Sequence, residues 1–305
     1  MTEPLVWLPF DPADLGRVPE GLRFEVVLPE PGVPLPASAA EVAYYVQPYR
    51  FSVLDNEVIA RLPRLQVVQT LTAGVEHVVG FVPDGVTLCN GRGIHDDSTA
   101  ELALTLILAS LRGIPEFVRS QDRGEWRPLW RPALADKRVM ILGYGQIGAA
   151  IEDRLTPFQV DVVRVARSAR AGVHAIDELP DLLRDADVVV VVVPSTAETR
   201  GLVDASFLAS MKDGALLVNV ARGVVVDTDA LADALESGRI SAALDVVDPE
   251  PLPSDHRLWQ APHLLISPHT GGASSAMWPR AHRLVREQLE RFATGRPLAN
   301  VIERP

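Results

Sequence analysis

The sequence is poor in cysteine, in cationic excess and in long apolar runs. Of 305 residues only Cys89 is a cysteine, so no intrachain disulfide can form, which fits a reducing compartment. Lys and Arg number 29 against 40 Asp and Glu, a formal charge of −11; the diffuse positive field that draws nucleic acid or anionic lipid is missing. The longest apolar run, Val188 to Val193, stops at Pro194 and has the length of a strand, far short of a membrane span. The N-terminus, with Glu3, Pro4, Pro9 and Asp11, has no basic flank leading into an apolar core and predicts a chain without a secretory leader. These absences predict a cytoplasmic protein with no membrane and no nucleic-acid partner. What is present is ordinary globular composition, 47% apolar and 23% charged, which excludes disorder of the whole chain. The length predicts about two domains.

Short strands are expected at Pro4 to Leu8, Phe24 to Leu28, Glu41 to Val46 and Leu65 to Thr70, between prolines, as in a small α/β domain. Ser98, with Glu101 three residues on, reads as a helix cap. Leu102, Leu106, Leu108, Ala109 and Leu111 then predict a long, mostly buried helix and a domain crossing. Gln121 to Pro132, with Trp126 and Trp130 among charges, reads as a loop or arm. From Arg138 onward near-continuous apolar strands alternate with helices: Val139 to Leu142, Val160 to Val165, Val188 to Val193, Leu216 to Val220, Ser241 to Val246 and Leu264 to Ile266. That is the pattern of a parallel sheet covered on both faces. A last helix, about Trp278 to Phe292, carries Leu284, Val285, Leu289 and Phe292 on one face and is expected to fold back on the first domain.

After the first of these strands comes Gly143-Tyr144-Gly145-Gln146-Ile147-Gly148, opening a helix from Gln146 to Leu155. Gly-x-Gly-x-x-Gly between a buried strand and a helix is a dinucleotide-binding turn. The first glycine permits the tight turn, the second lets a diphosphate approach the backbone, and the third lets helix and strand pack closely. An acid at the end of the next strand would hold the ribose hydroxyls of NAD. Ala166 stands there, 18 residues after Gly148, followed by Arg167, Ser168 and Arg170. Two guanidiniums and a hydroxyl suit a 2′-phosphate, so NADP is the preferred cofactor, with NAD as the lesser possibility.

Reducing a 2-oxo acid needs a cation for the carboxylate and ketone, a proton donor for the forming alkoxide, and a carboxylate to hold that donor in one tautomer. Arg222, His269 and Glu250 follow successive predicted strands, and ligands bind outside such ends in open α/β sheets. The spacings among His256, His263 and His269 do not fit a metal site, and none is expected. His95-Asp96-Asp97 reads as a solvated cluster and Cys89 as a small buried hydrophobe.

These segments together resemble the D-isomer-specific 2-hydroxyacid dehydrogenases. The resemblance runs from about Leu65 to Val301 and rests on Ala73-Gly74-Val75, Thr99-Ala100-Glu101, the glycine turn, Val193 to Thr199, Val220 to Gly223, Leu244-Asp245-Val246, Glu250-Pro251-Leu252 and Pro268-His269. It implies an α/β enzyme of two domains with the cleft between them. One is a Rossmann-type doubly wound parallel sheet over 98–279. The other is a smaller flavodoxin-like substrate domain, 1–97, completed by 280–305. It implies Arg222, Glu250 and His269 as the catalytic triplet. Cofactor contacts are implied for Gly143 to Gly148, Val193, Pro194, Thr199, Val220, Ala221, Asp245 and Gly271, with Asp245 on the nicotinamide carboxamide. The backbone around Val75–Glu76 would grip the substrate carboxylate, with Ala73, Gly74 and Val75 as substrate-binding residues and Asn90 and Arg92 in the substrate-cleft loop. Ala166 in place of the usual acid points to the NADPH-using glyoxylate/hydroxypyruvate reductase branch, and Glu250 speaks against the formate dehydrogenase branch, which carries Gln there. Family members are commonly dimers, so Trp126, Trp130 and Trp278 are candidates for a homodimer interface, or else for core packing. The expected activity is NADPH-preferring reduction of a small 2-oxo acid to a D-2-hydroxy acid. The alternatives are a non-catalytic dinucleotide sensor of the corepressor kind and an NAD-dependent 2-hydroxyacid or phosphoglycerate dehydrogenase.

Overall fold

The computed structural model describes residues 3–50 and 55–304. The chain divides into two compact units, one running up to His95 and resuming at Ser275, the other Asp96–Ser274.

The first unit holds a parallel sheet of β1 (Leu5–Leu8), β2 (Arg23–Val26), β3 (Val42–Val46), β4 (Val67–Gln69) and β5 (Thr87–Cys89), in the order β2-β1-β3-β4-β5. This 2-1-3-4-5 order is that of flavodoxin-like sheets. Strands such as Val42–Val46 are buried at every position, because a parallel sheet is covered on both faces. One cover is the C-terminal helix Met277–Ala293: Ala281, Val285 and Leu289, four residues apart, pack with Val6, Leu8, Tyr44 and Val67. The helix does return to this unit, as its apolar face predicts. Trp278 lies edge-on to Phe10, 6.3 Å between centroids.

The second unit opens with α1 (Asp96–Leu111) and α2 (Ile114–Asp122). It continues through β6 (Arg138–Leu142), α3 (Gln146–Leu155), β7 (Asp161–Ala166), β8 (His174–Ala175), α4 (Leu179–Leu182), β9 (Val188–Val191), α5 (Ala205–Ser210), β10 (Leu216–Asn219), α6 (Thr228–Glu236), β11 (Ser241–Leu244) and β12 (Leu264–Ile266). All seven strands are parallel, ordered β12-β11-β10-β9-β6-β7-β8. Counted within the unit and read from β8, this is 3-2-1-4-5 and onward, the Rossmann order, with its reversal between β6 and β9. Ala100, Ala103, Leu106 and Ile107 of α1 and Ile151 and Leu155 of α3 cover one face; Leu183, Phe207, Leu231 and Leu235 cover the other.

Several local expectations change. Helix α1 starts at Asp96, and Ser98 is no cap: it lies inside the helix, sharing a 2.6 Å hydrogen bond with Ser274. The buried stripe of α1 runs through Ala100, Ala103, Leu106 and Ile107, while Leu102, Leu108, Ala109 and Leu111 are only half-buried. Strand β5 is too short for period-2 alternation to reveal it, and α5 announces itself only through Asp204, which accepts from Phe207 N at 2.8 Å. His95 is buried, not solvated: its Nε2 pairs with the Leu71 carbonyl at 2.7 Å and its ring lies against Tyr49. Cys89 is a buried hydrophobe, and burial pushes its thiol up to about 11. Trp126 and Trp130 are 96% and 101% exposed, so neither belongs to a core of its own chain. Among the described residues no helix is long and apolar enough to cross a membrane.

Candidate active site

The glycine turn sits after β6, beside the point where the strand order reverses. Gly143 has φ 110°, and a Cβ there would lie 2.6 Å from the Val192 carbonyl carbon; one on Gly148 would lie 2.6 Å from the Gly143 oxygen. Both glycines are required by the protein's own packing. Gly145 differs: its φ of −103° is open to any residue, and a Cβ would meet nothing within 4 Å. The bare backbone there leaves room for a ligand at the N-terminus of the ten-residue helix α3, whose first amides have no partner within the helix. That is the shape and polarity a dinucleotide diphosphate requires.

At the end of β7, Ala166 is half-buried and Arg167, Ser168 and Arg170 are exposed. Arg170 turns back on the glycine turn and donates to the Tyr144 carbonyl at 2.5 Å. Thr199, a cofactor candidate from the sequence, spends its hydroxyl within its own loop: it donates to the Pro194 carbonyl at 2.6 Å and accepts from Thr196 N at 2.8 Å. Val193, Val220, Ala221 and Gly271 are buried beside the strand ends.

Arg222, Glu250 and His269 follow β10, β11 and β12, three adjacent parallel strands. Asn219, fully buried at the end of β10, donates to the Arg222 carbonyl at 3.0 Å and accepts from Ala221 N at 3.0 Å, which fixes the turn that carries the guanidinium. Gly223 touches the next loop so closely that a Cβ would fall 1.8 Å from the Val247 oxygen. His269 Nδ1 lies 2.5 Å from Glu250 Oε1; an ionised carboxylate only accepts, so Nδ1 carries the proton and Nε2 is left for a reacting group. The pair is part-exposed, at 43% and 39% of the two side chains, so a substrate can reach it. His269 has φ 52°, a left-handed backbone held by its N–H on the Asp245 carbonyl at 2.8 Å. Asp245 is buried and accepts from Ser267 Oγ at 2.7 Å, Thr270 N at 2.9 Å and Gly271 N at 2.8 Å. Its carboxylate anchors the loop on which the imidazole stands.

In the first unit, the loop after β4 carries Ala73, Gly74 and Val75. Asn90, read from the sequence as a residue of the substrate loop, is buried and donates to the Ala73 carbonyl at 2.7 Å; it supports that loop from beneath, while Arg92 is exposed. Gln69, also fully buried, donates to the Thr70 and Asn90 carbonyls at 2.9 and 3.0 Å and accepts from Gln288 at 3.0 Å. Sequence reasoning gave no part to Asn219, Gln69 or Gln288. The available signal was a polar side chain at the end of an apolar strand, as in Val67-Val68-Gln69 and Leu217-Val218-Asn219.

A Rossmann sheet with a phosphate-cradling turn, and an imidazole–carboxylate pair beyond neighbouring strand ends, define a nicotinamide-dependent oxidoreductase. Residues 104–271 match the family described as D-isomer specific 2-hydroxyacid dehydrogenase, NAD binding domain. The chain is 36% identical over 233 residues to the glyoxylate reductase/hydroxypyruvate reductase of Homo sapiens, covering 69% of this chain and 68% of that one. Its fold is similar to that of a D-isomer specific 2-hydroxyacid dehydrogenase from Xanthobacter autotrophicus Py2, solved with NADPH and MES: TM-score 0.83, 32% identity, 99% of this chain and 98% of that one. It is also similar to an NADPH-dependent glyoxylate/hydroxypyruvate reductase from Sinorhizobium meliloti, solved with NADP and malonate: TM-score 0.80, 26% identity, covering 98% and 97%. The protein belongs to the D-isomer-specific 2-hydroxyacid dehydrogenase family.

Proposed function

We propose that the enzyme reduces small 2-oxo acids of the glyoxylate and hydroxypyruvate kind to D-2-hydroxy acids, with NADPH preferred to NADH. The observation that carries this reading is the 2.5 Å contact between His269 and Glu250, with Arg222 on the adjacent strand end. Reduced nicotinamide, when bound, supplies the hydride for C2. Gly143 to Gly148 hold the diphosphate, and Arg167, Ser168 and Arg170 accept the 2′-phosphate. Arg222 pairs with the substrate carboxylate and polarises the ketone oxygen. His269 gives the proton on Nε2 to the oxygen that becomes the hydroxyl, while Glu250 accepts from Nδ1 and holds the ring in place. The preference for NADPH is supported by Ala166, since a carboxylate there would repel a 2′-phosphate, and by the cofactors named for the relatives. We assign Trp126 and Trp130, wholly solvent-facing within the chain, to a homodimer contact.

Initial rates of NADPH and NADH oxidation with glyoxylate, hydroxypyruvate, pyruvate and acetone test the reading. Turnover is expected with the acids and not with acetone. kcat/KM is expected to be at least about tenfold higher with NADPH, the size of one charge-assisted hydrogen bond. Equal or better use of NADH, or rapid reduction of acetone, overturns it.

A further inference from the structure

We infer that Tyr144, Glu152 and Arg164 form a positioning device that presses Arg170 against the glycine turn, and that recognition of a 2′-phosphate depends on these residues, none of which need touch it. The inference rests on the NADPH preference proposed above and adds a layer beneath it.

The segment after β7 is exposed at Arg167 through Arg170, and an exposed turn with long side chains would lose much conformational freedom on gripping a phosphate. Here that ordering is built in. Arg170 and Val173 close the turn with a pair of backbone hydrogen bonds of 3.0 and 2.8 Å. The Arg170 guanidinium donates to the Tyr144 carbonyl at 2.5 Å and lies 5.8 Å from the centroid of the Tyr144 ring. The ring is itself immobilised. Its hydroxyl donates to Glu152 Oε2 at 2.5 Å, and the Arg164 guanidinium lies 5.7 Å from its centroid. Glu152 is held in turn by two bonds from Arg164: Nε to Oε2 at 2.7 Å, and Nη2 to Oε1. This two-point pairing keeps the Glu152 carboxyl below the usual carboxylate range, and the hydrogen bond to that carboxylate pushes the Tyr144 phenol up.

The topology explains why these residues meet. Glu152 lies seven residues beyond Gly145 on α3, two turns along the same face of the helix. Arg164 stands on β7, the strand that pairs with β6, and Tyr144 lies in the turn between β6 and α3. The chain of contacts therefore runs from β7 through α3 and the glycine turn back to the segment following β7. One N–H of Arg170 is spent on the turn, and its others remain for a phosphate. Glu152 neutralises Arg164, so the positive charge left at the turn belongs to Arg167 and Arg170. The ring of Tyr144 serves as the floor on which Arg170 rests.

Two nucleotides that differ only in the group of interest, adenosine 2′,5′-bisphosphate and AMP, isolate the effect. Their dissociation constants are measured by calorimetry on the intact protein and on Tyr144→Ala, Glu152→Gln and Tyr144→Phe. The wild type is expected to bind the bisphosphate at least about tenfold more tightly than AMP. Tyr144→Ala should cut that ratio about tenfold, the size of one cation–π contact and one hydrogen bond together, the bisphosphate losing more affinity than AMP does. Glu152→Gln should cut it several-fold, and Tyr144→Phe, which keeps the ring beneath Arg170 but loses the bond to Glu152, should cut it by a similar several-fold and less than Tyr144→Ala. A ratio unchanged in Tyr144→Ala and Glu152→Gln overturns the inference. So does an equal loss for both nucleotides, because that marks a general role in the turn. A wild-type ratio near one removes the NADPH preference itself, and the device with it, and is distinguished by being seen before any substitution.

Discussion

His269→Asn should lower kcat/KM for glyoxylate by about a hundredfold to ten-thousandfold, the range of a positioned general acid, while the dissociation constant for NADPH stays within about twofold. Asparagine is the informative replacement. His269 sits at φ 52°, where asparagine is among the better-tolerated residues, so the loop held by Asp245 should keep its shape. The amide can still reach Glu250, yet it has no nitrogen that gains and loses a proton near neutral pH. The glycine turn and the segment after β7 lie beyond other strands of the sheet, so cofactor affinity is an independent reading on the same protein. Steady-state rates and a fluorescence titration with NADPH check the two halves. Turnover and binding both preserved would remove His269 from the mechanism.

Arg222→Ala should cost more than about a hundredfold in kcat/KM, appearing in both KM and kcat, because the guanidinium is asked both to bind the acid and to steady charge on the ketone oxygen. The substitution removes the guanidinium's own 2.8 Å bond to the Ala221 carbonyl but keeps the turn's other ties. Asn219 grips the main chain of Ala221 and Arg222 and not the guanidinium, and Gly223 still meets the Val247 carbonyl. Arg222→Lys should recover only part of the loss, since an ammonium lacks the planar pair of donors that matches a carboxylate. Near-normal rates in Arg222→Ala, measured over a range of glyoxylate concentrations, would assign the carboxylate to another residue.

The Rossmann unit was legible because its strands are apolar from end to end. Val188–Val191 and Leu216–Asn219 admit no competing period, and a glycine turn between a buried strand and a helix is a local pattern. The neighbouring placement of Arg222, Glu250 and His269 was legible because each follows a strand, so the topology alone brings the three to adjacent strand ends. What remained hidden depends on long-range contact. Asp245 could be named from the sequence, yet its hold on Ser267, Thr270 and Gly271 spans more than twenty residues of chain and exists only once β11 and β12 pair. The bond from Asn90 to the Ala73 carbonyl was hidden because the two lie 17 positions apart in the chain. On α1 the expectation held for Leu106 but not for Leu102, Leu108, Ala109 and Leu111, because with apolar residues on every side of the helix the sequence does not mark which face, here Ala100, Ala103, Leu106 and Ile107, meets the sheet.

The central claim is that His269 and Glu250 act as one acid–base unit, and a double-mutant cycle in kcat/KM tests it most directly. Glu250→Gln alone should reduce the rate constant. Added to His269→Asn it should cost no more than about a further twofold, since a carboxylate that works through the imidazole has nothing left to hold once the imidazole is gone. If the two losses multiply, the carboxylate and the imidazole act separately, and the assignment of proton donor and partner is contradicted.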